Sequence, residues 1–312
     1  MTAGNPIAAP DLVRRILWAR GLRDFGDGLA AVLLPAYLVA LGYGAAEVGV
    51  VATIALLGSA LVTLGVGVAG ARADPRPLLL LAAALMAATG LGFAAAGSFA
   101  LVSAVALVGT INPSAGSVSV FVPLEQSLLT HASPGAGRTA VFARYSLVGA
   151  LAAAAGALAA GVPDALAALG APPLDALRSM FLAYALLGAA CAVAYWSIPP
   201  IPGADRRARH APLGPSRGIV LRLAALFSVD SFAGGLAVQS LLALWMFERF
   251  GLSVAQAGLF FFWSGALSAF SFPVAAWLAG RIGLVNTMVF THIPSSLCLI
   301  AAAFAPTVGL AL

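Results

Sequence analysis

Long apolar runs, one after another to the C-terminus, constrain this chain more than any motif in it. They lie at roughly 25–43, 47–70, 77–97, 100–122, 140–161, 178–198, 219–247, 254–280 and 284–305, and a tenth begins at Thr307. Crossing a hydrocarbon core of ~30 Å takes about 20 residues of helix at ~1.5 Å per residue. Inside hydrocarbon the backbone finds no water, so it must satisfy its own hydrogen bonds, as a helix or a closed barrel does. No stretch alternates with period two for long enough to make barrel strands. Composition agrees: 62% of the residues are hydrophobic and only 9% charged, against about 25% charged in soluble domains. The expected class is an all-α polytopic membrane protein with nine complete transmembrane helices and the start of a tenth.

Several functions drop out early. The chain has no lysine, so it has no Walker A loop to hold nucleotide phosphates. Gly65-Val-Gly-Val-Ala-Gly70 fits G-x-G-x-x-G, but it lies inside an apolar run with no strand before it. Its small residues suit close helix packing instead. There is no H-E-x-x-H, C-x-x-C or G-x-S-x-G, so an enzyme is not expected, nor a metal, a cofactor or a nucleic-acid partner. Cys191 and Cys298 fall within apolar runs and read as packed thiols. No short apolar stretch with a cleavage site precedes residue 25, so no cleaved signal peptide is expected.

Arginine sets the expected orientation. With the N-terminus cytoplasmic, fourteen arginines fall on the inner side, and only Arg178 and Arg249 on the outer. That asymmetry follows the positive-inside rule. Residues 11–23 read as a short amphipathic helix on the inner leaflet. Pro199 to Gly218 holds five prolines and four arginines, the composition of a linker. The expected organisation is a tail at 1–24, a six-helix half at 25–198, a cytoplasmic linker at 199–218 and an incomplete second half at 219–312. The halves echo each other at an offset of 207: Phe25, Gly28 and Leu29 match Phe232, Gly235 and Leu236. Parallel repeats of this kind are a transporter signature.

A further echo carries a resemblance. After run two stands Gly70-Ala-Arg-Ala73-Asp74-Pro-Arg76-Pro77, and after run eight Leu278-Ala279-Gly280-Arg281-Ile282-Gly283. These partial copies, offset by 206, resemble the short cytoplasmic motif G-x-L-A-D-R-x-G-R of the major facilitator superfamily. With the span count and the linker, the resemblance covers essentially the whole chain. It implies a two-half helical bundle in a bacterial inner membrane, working as a monomer and moving a small solute by alternating access. It implies a gate at Gly70, Asp74, Arg76, Arg281 and Gly283, with Asp74 tying the inner loop to a neighbouring helix end. Members usually have twelve helices, so the chain reads as C-terminally truncated. In the family, the first helix of each triplet lines the central cavity.

Five residues are candidates for proton coupling or substrate contact: Asp27, Asp230, Glu125, Arg144 and Asn112. Asp27 and Asp230 are carboxylates in runs one and seven. An isolated charge at mid-membrane costs about 2.5–3.5 kcal/mol on insertion scales, so it needs a partner or a wet cavity. Arg20 and Arg23 precede Asp24 and Asp27 by four residues, so each pair can meet on one helix face. Asp230 has no arginine within four residues and is the freer of the two. Arg144 can snorkel, pair with Glu125 or touch substrate. Asn112 with Pro113 marks a kink in run four. The expected function is a transporter, with proton-coupled efflux preferred over uptake. A proton-coupled uptake symporter, and a non-transporting relative or membrane assembly factor, remain as alternatives.

Overall fold

The computed structural model describes residues 9–70, 74–114, 119–133, 137–198, 217–235, 238–307 and 309. The first eight residues and nearly all of the expected linker lie outside them. Among the described residues every regular element is a helix. The first half holds α1 (Ala9–Ala40), α2 (Ala45–Gly70), α3 (Pro75–Ala95), α4 (Phe99–Val108), α5 (Phe121–Ala132), α6 (Gly137–Ala159), α7 (Val162–Ala168) and α8 (Pro173–Trp196). The second holds α9 (Arg217–Gly235), α10 (Gln239–Phe250), α11 (Val254–Ile282) and α12 (Leu284–Ala303).

The expected count of nine complete spans is not supported. By length and composition, seven described helices can cross a membrane. Two expected spans are missing from that set, for physical reasons. Run one is the apolar part of a longer helix, α1, which also carries Arg20, Arg23, Asp24 and Asp27. The presumed interfacial helix at 11–23 is continuous with it, and Ile16 and Ala19 are fully buried. Run four is broken: α4 ends at Gly109 and α5 begins at Phe121. In the break, the Asn112 side chain accepts from the Ser114 amide at 2.9 Å, an Asx turn that offers the backbone an alternative to helix.

Helix α1 is the axis of the first half. At 32 residues it spans about 48 Å. It packs on α6, α8 and α10, while α3 packs on α8 and α11 on α6. Glycines set the α1–α6 approach. A Cβ on Gly28 would strike the Ala153 carbonyl, and one on Gly156 the Phe25 carbonyl. Small residues bring the two backbones together where lipid supplies no hydrophobic drive between helices. Leucines such as Leu57, Leu61 and Leu64 on α2 stay exposed, as lipid-facing side chains do.

The two halves meet toward the arginine-poor end. There the Ser240 hydroxyl donates to the Ala31 carbonyl at 2.6 Å, and the Ser240 amide to the Pro113 carbonyl at 3.0 Å. The Ala255 amide donates to the Asp164 carboxylate at 2.8 Å. Toward the arginine-rich end the second half separates. No residue of α9 is buried, although it is as apolar as a span.

Candidate functional site

Five charged side chains gather inside the first half, where an apolar bundle has least use for them. Arg23, Asp24, Asp27 and Glu125 are all buried, Arg23 at 1% exposure and Glu125 at 0%. Arg20 stands at their edge, 12% exposed. Four come from successive turns of α1; Glu125 comes from α5, 102 residues away in sequence from Arg23.

Arg23 is the hub. Its Nη1 lies 2.8 Å from Asp24 and 3.5 Å from Asp27, and its Nη2 donates to Glu125 at 3.2 Å. Its guanidinium also stacks 5.1 Å from the centre of the Phe121 ring. Arg20 pairs with Asp24 at 2.7 Å and lies over the Tyr145 ring at 4.4 Å. Gly149 makes room for that pair, since a Cβ there would meet Arg20 Nε at 2.6 Å. Glu125 is the best-satisfied acid. Beyond Arg23 it accepts from the Tyr145 hydroxyl at 2.5 Å and the Tyr195 hydroxyl at 2.6 Å. Both bonds are short for O–H···O contacts.

Asp27 is the least compensated. Its only ion pair among the described residues is the long one to Arg23. Tyr184 lies beside it, with its hydroxyl 3.3 Å from Thr110 Oγ1 in the α4–α5 break. The cluster as a whole is unbalanced: three carboxylates face two guanidiniums. An uncompensated buried charge is expensive, so the third carboxylate needs a neutralising partner.

The i,i+4 pairs expected on α1 both form, but sequence spacing missed the hub. Arg23 binds its neighbour Asp24 more closely than Asp27. The pairing of Glu125 with Arg144 does not occur: Arg144 is exposed, and Arg23 takes its place. The reason is geometric. Arg144 and the adjacent Tyr145 leave α6 about 100° apart, and Tyr145 is the one turned inward. Asp230, the freer carboxylate by sequence, is on the exposed α9 and meets none of the cluster. Asn112 is buried in the break between α4 and α5 and stays outside the charge cluster.

The gate residues divide as well. Asp74 caps its own helix, accepting from the Arg76 amide at 3.0 Å. The tie to a neighbouring helix end belongs to Arg76, which donates to the Trp196 carbonyl of α8 at 2.7 Å and lies over the Trp196 ring. Arg15 makes a parallel tie to the Ser197 carbonyl. In the second copy, Arg281 stacks on Trp277 at 4.1 Å. Gly283 joins α11 to α12 at φ +85°, a backbone angle that favours glycine. Gly70 ends α2.

Sequence reasoning overlooked the tyrosines. The chain has five, and Tyr37, Tyr145, Tyr184 and Tyr195 all use their hydroxyls inside the bundle. The available signal was a polar tip placed within an apolar run, which must find a partner.

Between the halves, near the α4–α5 break, is a cavity of about 250 Å³. Ser114, Gln239, Ser264 and Ser268 give it hydrogen-bonding groups, Phe261 a ring, and among the described residues no charged side chain lines it.

Comparison with known proteins agrees with this architecture. The profile of the Major Facilitator Superfamily matches residues 16–312. An uncharacterized membrane protein of Saccharomyces cerevisiae is 24% identical over 319 residues, covering 91% of this chain and 71% of its own. Among solved structures, a bacterial homologue of the human lysosomal transporter Spinster, inward-facing and unoccupied, superposes with a TM-score of 0.67 at 17% identity. The match covers 99% of this chain and 71% of that one.

Proposed function

The chain belongs to the Major Facilitator Superfamily, a family of membrane transporters, and from that premise we propose that it moves a small solute by alternating access, coupled to protons through the buried cluster. One observation carries the coupling: three carboxylates and two guanidiniums enclosed in the first half. Arg23 and Arg20 neutralise two acids. Asp27, with the longest pair, holds the exchangeable proton. Losing that proton leaves an unpaired negative charge in an apolar bundle, which favours whichever conformation lets water reach it. The contacts between halves support an arrangement closed at the arginine-poor end and open at the other. With an N-terminus in the cytoplasm that is an inward-open state, and the arginine distribution supports that orientation. Efflux across a bacterial inner membrane remains the preferred direction, resting on a cavity without charged side chains among its described lining residues.

Asp27→Asn tests the coupling. It keeps the shape of a protonated Asp27 and leaves the cluster neutral. Infrared difference spectra of the reconstituted protein between acid and alkaline buffer should contain a protonated-carboxyl band that this variant lacks. Solute exchange should persist in the variant, while accumulation driven by a pH gradient disappears. A band unchanged in Asp27→Asn would refute the assignment.

A further inference from the structure

Helices α6 and α11 run antiparallel and form one wall between the halves. Toward the arginine-poor end they touch: a Cβ on Gly258 would strike the Ala157 carbonyl, and one on Gly265 would come within 3.0 Å of the Ala154 Cβ. Toward the arginine-rich end they part. The space between them there is a groove of about 490 Å³, bordered by Arg138, Phe142, Ala143, Ser146 and Phe272. Its size lies within the ~300–1,000 Å³ of small-molecule sites.

The groove and the cavity above it follow a single track. Arg138, Phe142, Ser146 and Ala150 are spaced by four and share a face of α6; the first three line the groove and the last lines the cavity. On α11, Phe272 lines the groove, and Ser268 and Ser264, at steps of four, line the cavity. Chemistry changes along the track. Its outer part has two aromatic walls and one arginine, and its inner part has hydroxyls and an amide.

Arg138 stands at the mouth. It is exposed, and the apolar span of α6 begins two residues later at Ala140, which is the level of lipid headgroups. Its Nε donates to the Ser133 carbonyl at 3.3 Å, fixing the guanidinium there. Among the described residues no carboxylate lines the groove. Arg138, the one cation among the described residues that border the groove, calls for an anion, and the walls behind it call for hydrocarbon. Both demands meet in one molecule drawn from the adjoining leaflet.

We propose that the α6–α11 seam binds a single-chain anionic amphiphile, its head on Arg138 and its chain between Phe142 and Phe272, and delivers it to the cavity as the transported substrate. The substrate role rests on the transporter reading above; the binding site does not.

The test uses the full chain in phosphatidylcholine nanodiscs, with a diazirine-bearing hexadecanoic acid as the probe. After illumination, labelled peptides should contain Phe142 to Ser146 and Phe272. Arg138→Gln should lower labelling at these peptides roughly threefold to tenfold at subsaturating probe. The diazirine-bearing alcohol, without the charge, should label wild type and Arg138→Gln alike. Phe272→Gln, at a half-exposed position, should reduce both probes. Label spread evenly over the lipid-facing residues of α2 and α12, or unchanged in Arg138→Gln, would overturn the site. Flux of the same acid in proteoliposomes separates the two ideas. A chain that is labelled at the seam yet moves nothing keeps the site and refutes transport. A chain that moves other solutes and is not labelled there refutes the site alone.

Discussion

Removing the Ser240 hydroxyl should shift the balance between the two ends of the bundle. The reason begins with Pro35, inside α1. In a helix the carbonyl of residue 31 would accept from the amide of residue 35, and proline has none. The Ala31 carbonyl is therefore left over within a buried stretch of α1. Ser240, itself fully buried on α10, supplies the missing donor at 2.6 Å. In Ser240→Ala the carbonyl has no donor while the halves stay joined, a cost of about 1–3 kcal/mol. Opening of the arginine-poor end lets water reach it, so the penalty falls on one conformation only. At about 1.4 kcal/mol per tenfold, the ratio of joined to open molecules should fall roughly 5- to 150-fold. Ser240→Thr keeps the hydroxyl and should behave as wild type. Spin labels at Ala46→Cys and Arg249→Cys, both exposed and on opposite halves, report the separation by pulsed electron paramagnetic resonance. Cys298→Ser removes the exposed thiol, and buried Cys191 stays in place. An unchanged distance distribution in Ser240→Ala would show that the serine does not hold the halves together.

Two further outcomes follow from packing and charge. Gly156→Val should destabilise the α1–α6 contact by at least the ~1–3 kcal/mol of an overpacked core, because its Cβ meets the Phe25 carbonyl and comes within 2.9 Å of the Leu29 nitrogen; a lowered melting temperature in detergent reads this, and an unaltered one refutes the close approach. Arg23→Gln strands Glu125 and Asp27 and should cost about 3–5 kcal/mol, whereas the double variant with Glu125→Gln should recover part of that loss in the same melting assay, and failure to recover would mean the two side chains are not coupled.

The bundle was legible because lipid leaves the backbone few options: a 20-residue apolar run must close its own hydrogen bonds. That same reasoning misjudged run four. Hydropathy across 100–122 is continuous, yet Gly109 and the Asn112–Pro113 pair end one helix before the next begins. The α1 pairs were legible because spacing on a helix is fixed. The Arg23–Glu125 bond was not, since it depends on how α1 and α5 cross, and residues 102 apart carry no local trace of that angle. Asp230 looked promising because it lacks a nearby arginine. Burial, which decides whether a lone carboxylate matters, is set by neighbours in space, and α9 buries none of its residues.

Glu125 also imposes an order on the making of the protein. α1 is made before α5, and it is not among the seven described helices that are long and apolar enough to cross a membrane. Each charge near a helix centre adds about 2.5–3.5 kcal/mol against insertion. The acid that takes up Arg23 comes 102 residues later, which at ~5–20 residues per second is about 5–20 s of translation. Tyr195, a further partner beside Tyr145, comes 70 residues after Glu125. Until then the charges of α1 have only one another. The buried charges of α1 therefore reach their full set of partners only after α5 and α8 have been made.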